Sequence, residues 1–402
     1  MLNYEKIKND FPLLNKQAQK KPIVYFDSAC MSLKPKQVIE AMNEYYFYFP
    51  ACSGRSSHRL GELVTKKIKE ARQIVANFIN ADEQEVIFTR NTTEAVNLLA
   101  NSLDLKNEDL VLTTDKEHNS NLIPWQMLIK KKGIRHEIVK SKNDGTFDFE
   151  KYKELVKTSR LVSMVHTSNL DGTTIPAKEI IKTAHENGVL VFLDAAQSAP
   201  HIKIDVKDLD VDFLAFSGHK MLGPTGTGVF YGKYNLLEKF EPFMVGGDTV
   251  EYSTYTDHKM LKAPEKFEAG LQDYAGIIGL GEAVNYLEAI GFDNIREQEL
   301  ELNRYITEEI SKFPKIKIIG PTNPALRSGI ISFYIDDMDM HQVALMLDEM
   351  SSVMIRSGQH CVHSWFNDKK IKNSARVSLY FYNTMEEAEE FISGLNKIIK
   401  IL

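Results

Sequence analysis

Short apolar runs and amphipathic stretches alternate through the middle of the chain. Val86-Ile-Phe-Thr89, Leu110-Val-Leu-Thr-Thr114, Leu161-Val-Ser-Met-Val165, Leu190-Val-Phe-Leu193 and Phe213-Leu-Ala-Phe216 have few charged positions to mark a wet face. That is the pattern of strands buried on both sides. Between them, 66–79, 91–101, 121–132 and 177–187 place apolar residues at helical spacing. Asn91 and Glu94 are spaced like a capping box, and Gly188 follows the last of these helices. Strands alternating with helices from about 65 to 232 predict an α/β fold, with a mostly parallel central sheet flanked by helices. Ligands bind such sheets at the carboxyl ends of the strands. Asp194, His166, Glu117 and His118 all follow strands and would meet there.

From about residue 279 the pattern changes. Helices are expected at 281–290 and 297–313, a strand at 329–335, a helix at 341–350 and strands at 353–356 and 375–379. A last helix opens at the Thr384-x-x-Glu387 capping box. This reads as a smaller α+β domain. The expected division is 18–280 for the large domain and 281–402 for the small one. Residues 1–17, with no strand of their own, would pack on the small domain. A chain of 402 residues is long enough for both.

Composition narrows the class. With 43% hydrophobic and 26% charged residues, the chain falls among soluble globular proteins. A net charge of −6, spread along the sequence, speaks against a nucleic-acid surface. The N-terminus lacks the apolar core of a signal peptide, and no apolar run approaches the about 20 residues that span a membrane. A cytoplasmic protein bound to neither membrane nor nucleic acid is expected. Cys30, Cys52 and Cys361 are too few for a disulfide framework and lack metal-site spacing, so no metal is expected.

The chemistry concentrates at two strand ends. Asp194 closes one apolar run, in Phe192-Leu-Asp194-Ala-Ala-Gln197. Lys220 follows another, in Phe216-Ser217-Gly-His219-Lys220. Pyridoxal phosphate (PLP) needs such a pair. A lysine amine forms a Schiff base with its aldehyde, and an acid keeps its pyridine nitrogen protonated as an electron sink. Asn91-Thr92-Thr93-Glu94 opens a helix after a strand, so it either caps that helix or also binds a phosphate. Ser217 and His219 are further phosphate candidates. His118 could stack on a pyridine ring or simply make a structural hydrogen bond. Gln197, one helical turn past Asp194, suits the phenolic oxygen. Asn169 is either a site amide or a turn residue before Gly172. Cys361 follows a Gly turn and is flanked by Arg356, His360 and His363, surroundings that favour a nucleophilic thiolate. Cys30 and Cys52 lack that context and read as packing residues. Arg376, in a strand-like run, could hold a substrate carboxylate.

These motifs resemble, nearly end to end, the class V aminotransferase-like PLP enzymes of fold type I. Within them they resemble the SufS-type (group II) cysteine desulfurases, which are close to selenocysteine lyases. The resemblance also covers Tyr25-Phe-Asp-Ser-Ala29, Gly223-Pro-Thr-Gly226, Phe267-Glu-Ala-Gly270 and Arg356-Ser-Gly-Gln-His-Cys361. It implies that Lys220 carries the cofactor and shuttles the Cα proton. Asp194 would pair with the pyridine nitrogen, His118 would stack on the ring, and Gln197 would contact the phenolic oxygen. Thr92, Thr93, Ser217 and His219 would hold the phosphate. Arg376 and Asn169 would bind the substrate carboxylate, with Asn169 also beside the cofactor. Cys361 would take sulfur from L-cysteine as a persulfide, leaving alanine, and pass it to an acceptor protein for iron–sulfur cluster or other thio-cofactor assembly. A homodimer is implied too. Selenocysteine lyase, C–S lyase, epimerase and transaminase are the alternatives within the fold, and a catalytically silent scaffold of a sulfur-transfer complex is the alternative outside catalysis. Asn119 stands where the family has a second His. Gln359 and Val362 replace a His and an Ala beside the cysteine. Leu271-Gln-Asp-Tyr274 stands where the family has a threonine reaching the partner's phosphate. Arg55, in Ser53-Gly-Arg55-Ser-Ser-His58, lies in a stretch that resembles a family loop near the site, with a plain surface loop as the alternative.

Overall fold

A computed structural model gives the fold and describes residues 2–15 and 23–401. The expected boundary at residue 18 lies outside the described residues. In chain order the strands are β1 (Val24–Phe26), β2 (Val86–Thr89), β3 (Leu110–Thr114), β4 (Arg135–Val139), β5 (Ser159–Val165), β6 (Leu190–Asp194) and β7 (Phe213–Ser217). They continue as β8 (Gly228–Gly232), β9 (Val250–Ser253), β10 (His258–Met260), β11 (Ile316–Ile319), β12 (Ile330–Ile335), β13 (Val353–Gly358) and β14 (Ser374–Ser378).

The large sheet has seven strands in the order β2-β8-β7-β6-β5-β3-β4. The pairs from β7 to β4 are parallel, and β8 runs against both its neighbours. Successive residues of one strand enter opposite cores. Val191 and Leu193 of β6 join Leu214 and Phe216 of β7 on one face, under helices Arg59–Phe78, Ala177–Glu186 and Tyr274–Ile290. Phe192, Phe213 and Ala215 point the other way, against helices Thr92–Ser102 and Ile123–Lys132. With both faces covered, strand residues are apolar without alternation, which is why these runs stand out in the sequence. The edge strand β4, Arg135-His-Glu-Ile-Val139, is mostly wet and carries no such signal.

The second sheet has the order β1-β13-β14-β12-β11 and packs on helices Phe292–Ile310, Met340–Ser351 and Met385–Ile401. Residues 24–26 fall inside the 18–280 segment, yet they hydrogen-bond into this sheet, with Val24 opposite Val353 and Phe26 opposite Ile355. Three residues are too few to show a period, and their partner lies near the far end of the chain. Phe11, just after helix Tyr4–Asp10, packs edge-on to Tyr286, Phe381 and Tyr382. The helix expected at 281–290 begins earlier, at Tyr274, where Asp273 accepts the Gly276 N–H at 2.9 Å. Gly276, Gly279 and Gly281 lower its intrinsic helix preference. A Cβ on Gly279 would stand 2.7 Å from Met42 Cγ, so packing against helix Lys36–Tyr48 requires the small residue. The helix expected at 297–313 runs Phe292–Ile310.

Candidate active site

The loops after β2, β3, β5, β6 and β7 open at one edge of the large sheet. The small sheet covers that edge with the β13 loop and β14, and the turn after β1 closes it. Between them lies a cavity of about 220 Å³. Thr92, Thr93, His118, Asn169, Asp194, Gln197, Ser217, His219, Lys220, Cys361 and Arg376 all line it. So do Cys30, Asn91, Ser120, Arg356 and His360. Glu117 and His166 do not. Both are buried beside it, and the Glu117 carboxylate accepts from the backbone of β5.

At one end is the start of helix Thr92–Ser102. Asn91 caps it, accepting the Glu94 N–H at 3.1 Å. Ser217 Oγ, at the end of β7, accepts the Thr92 N–H at 3.0 Å and lies 2.8 Å from Thr92 Oγ1. Thr93 Oγ1 meets Ser120 Oγ at 2.6 Å. This grouping of hydroxyls at a helix N-terminus suits an anion. Gly228 permits it, because a Cβ there would stand 2.6 Å from Asn91 Cα.

Asp194 and Lys220 face each other's charge in the middle. Burial raises the Asp194 carboxyl, and the Lys220 charge pulls it back. Burial lowers Lys220, opposed by Asp194. Two groups driven towards proton exchange from opposite sides suit acid–base work. Burial, followed by the charges of Lys220 and Arg376, takes His118 down to about 3, so the ring is neutral. Its Nδ1 accepts the Ser120 N–H at 3.1 Å. His219 falls to about 4, chiefly by burial.

Arg376 reaches up from β14. It donates to the Asn169 carbonyl at 3.0 Å and to Asp27 Oδ1 at 3.3 Å. Asn169 donates to the His360 carbonyl at 2.7 Å, and Gln197 to the Ala29 carbonyl at 2.7 Å. Arg376 Nε, Asn169 Oδ1 and Gln197 Oε1 are buried with no partner. Unpaired buried polar atoms are costly, so three around one cavity fit a bound molecule that carries both donors and acceptors.

The cysteine loop is unusual in its backbone. Gly358, His360 and Cys361 have φ of +122°, +49° and +59°. Left-handed conformations are unfavourable for His and Cys and persist only where surrounding contacts impose them. Here His360 Nε2 meets Ser374 Oγ at 2.8 Å, and the Cys361 carbonyl accepts the Asn119 N–H at 2.7 Å.

Cys30 corrects the sequence reading. Its sulfur accepts from Arg356 at 3.0 Å on the cavity wall, so it is not simply a packing residue. Only the fold brings these two ends of the chain together. Arg55 is outside the cavity lining and pairs with Asp248 through its Nε at 2.5 Å. Among the described residues, no group of three or more His, Cys, Asp or Glu is arranged to hold a metal ion. No helix among them is long and apolar enough to cross a membrane.

The aminotransferase class-V family model matches residues 24–391. A probable cysteine desulfurase of Pyrococcus abyssi is 40% identical over 401 residues, spanning 99% of this chain and 98% of that one. A probable cysteine desulfurase of Halalkalibacterium halodurans is also 40% identical, spanning 98% of each. Among solved structures, the apo cysteine desulfurase of Thermococcus onnurineus NA1 superposes with a TM-score of 0.95 at 38% identity, covering 100% of this chain and 99% of that one. The Escherichia coli cysteine desulfurase CsdA gives 0.91 at 29%, covering all of both. The α/β fold with a mostly parallel central sheet flanked by helices, expected from the sequence, is the one these structures share, and the chain belongs to the aminotransferase class-V family.

Proposed function

We propose that the chain is a PLP-dependent cysteine desulfurase that converts L-cysteine to L-alanine and takes the sulfur as a persulfide on Cys361. The observation that carries this is the placement of Lys220, Asp194 and Cys361 in one small cavity. Full-length similarity to proteins named cysteine desulfurases supports it.

The cavity fits the cofactor. The hydroxyl-lined helix start suits its phosphate, and the unpaired Gln197 and Asn169 oxygens suit a molecule bearing donors. Lys220 would hold it through the amine, Asp194 at the pyridine nitrogen, His118 against the ring and Gln197 near the phenolic oxygen. Thr92, Thr93, Ser217 and His219 would hold the phosphate, and Asn169 would lie at its edge. When bound, the cofactor supplies an electron sink for negative charge at the substrate Cα.

The rest belongs to the chain's own residues. Arg376 and Asn169 orient the substrate carboxylate, and the free Arg376 Nε supports that role. Lys220, disposed to be neutral by burial, takes the Cα proton and returns a proton to the product. The Cys361 sulfur forms an S–S bond as the substrate Cβ–S bond breaks. The carbon keeps the bonding pair and is protonated. L-cysteine and a thiol thus become L-alanine and a persulfide. Half-exposure of Cys361 supports hand-off to an acceptor protein for iron–sulfur or other thio-cofactor assembly. The exposed Tyr46, Phe47 and Tyr48 support a homodimer, and three free cysteines support a cytoplasmic setting.

The test is alanine formation from L-cysteine by the purified, PLP-loaded protein, with and without a reducing thiol. Sustained alanine with reductant and early arrest without it supports the reading. No alanine under either condition, with PLP bound, overturns it.

A further inference from the structure

His118 and Ser120 line the cavity, but Asn119 between them does not. It is bonded to the cysteine loop instead. Its backbone N–H donates to the Cys361 carbonyl at 2.7 Å. Its side-chain amide meets His363 Nδ1 at 2.8 Å. An amide nitrogen can only donate, so Nδ1 accepts and the ring proton sits on Nε2. The two bonds grip the loop at Cys361 and two residues beyond it.

The loop needs such a grip. His360 and Cys361 hold left-handed backbone angles that these residue types disfavour. On the inner side, buried bonds from Asn169 to the His360 carbonyl and from Ser374 to the His360 ring hold the loop. On the outer side, the Asn119–His363 bond lies in an exposed setting, where water competes with it. The outer half is therefore the weaker one. Ser120, the next residue, is bonded to the His118 ring and to Thr93, so the turn carrying Asn119 is itself anchored to the cavity wall.

We propose that Asn119 is a positioning residue for Cys361. Together with His363 it forms an outer latch that keeps the thiol over the cavity. It acts on sulfur transfer and leaves proton transfer at Cα alone. The sulfur-transfer part rests on the desulfurase reading, whereas the latch itself does not.

The experiment compares Asn119→Leu, His363→Leu, the double variant and Asn119→Asp. Asp can accept from a ring that carries its proton on Nδ1, so it should restore the pair. In cofactor-free protein, Cys361 alkylation by iodoacetamide is followed by peptide mass spectrometry. Each Leu variant should react several-fold faster than wild type, up to about tenfold, the range of one net hydrogen bond. The double variant should react no faster than the singles, and Asn119→Asp should stay near wild type. In PLP-loaded protein, exchange of the L-alanine Cα proton with D2O should be equal in all, while alanine release from L-cysteine slows several-fold in the Leu variants. Unchanged alkylation in the Leu variants, or additive effects in the double variant, would overturn the latch. Loss of Cα exchange in step with turnover would overturn the separation of the two steps. A wild type that forms no alanine would refute the functional reading, and the alkylation rates would still decide the latch.

Discussion

Burial drives the Lys220 amine and the Asp194 carboxyl towards their neutral forms, and each one's charge draws the other back. Cys361 stands apart from that pair in role. Cys361→Ala should keep PLP and bind L-cysteine, yet turnover should fall by at least about a hundredfold, as for loss of a nucleophile. Wild-type sulfur release by this variant would refute the persulfide role. His166, buried beside the cavity, contributes to the pH dependence of stability in acid. Burial takes His166 from the usual 6.5 down to about 4. Between those values the unfolded chain binds a proton that the folded one refuses, so stability falls as pH drops from 6.5 towards 4. The loss is about 3 kcal/mol for this group alone. Glu117, raised by burial to about 7, works in the opposite sense, so the comparison must be made between variants. The thermal midpoint of His166→Gln should drop less than that of wild type over this window. Equal drops would mean that His166 is not held neutral.

At the scale of elements, one buried carboxylate joins two strands. Glu117 accepts from the Thr114 N–H at 3.1 Å, Thr114 Oγ1 at 2.6 Å, the Val165 N–H at 3.0 Å and Asn121 at 2.7 Å. It ties the end of β3 to the end of β5 and sets the turn that carries His118 and Asn119. Glu117→Ala strands these donors, at about 1–3 kcal/mol for each one left unsatisfied. Urea unfolding should show a loss of several kcal/mol, with Glu117→Gln milder because its carbonyl still accepts. An alanine variant as stable as wild type would show that water replaces the carboxylate freely.

Across the whole molecule, Arg376 bridges the two sheets. It rises from β14, meets the Asn169 carbonyl beyond β5 and pairs with Asp27 just after β1. Arg376→Gln should raise KM for L-cysteine and lower kcat/KM by about a hundredfold, the scale of a charged hydrogen-bonded contact. An unchanged KM would place the carboxylate elsewhere. The same bridging shows what could be read without the fold. β3, β6 and β7 bury both faces, so their composition alone announces them, and motif order places Asp194 and Lys220 at adjacent strand ends. The sequence by itself thus determined the parallel sheet, the strand-end placement of Asp194 and Lys220, and the capped start of helix Thr92–Ser102. These are local consequences of periodicity, capping and strand-end position. Tertiary structure decided the rest. It drew β1 into a sheet whose other strands lie at the opposite end of the chain, set Cys30 against Arg356 and bent Cys361 over the cavity. Those outcomes depend on contacts between distant segments, which no local pattern encodes.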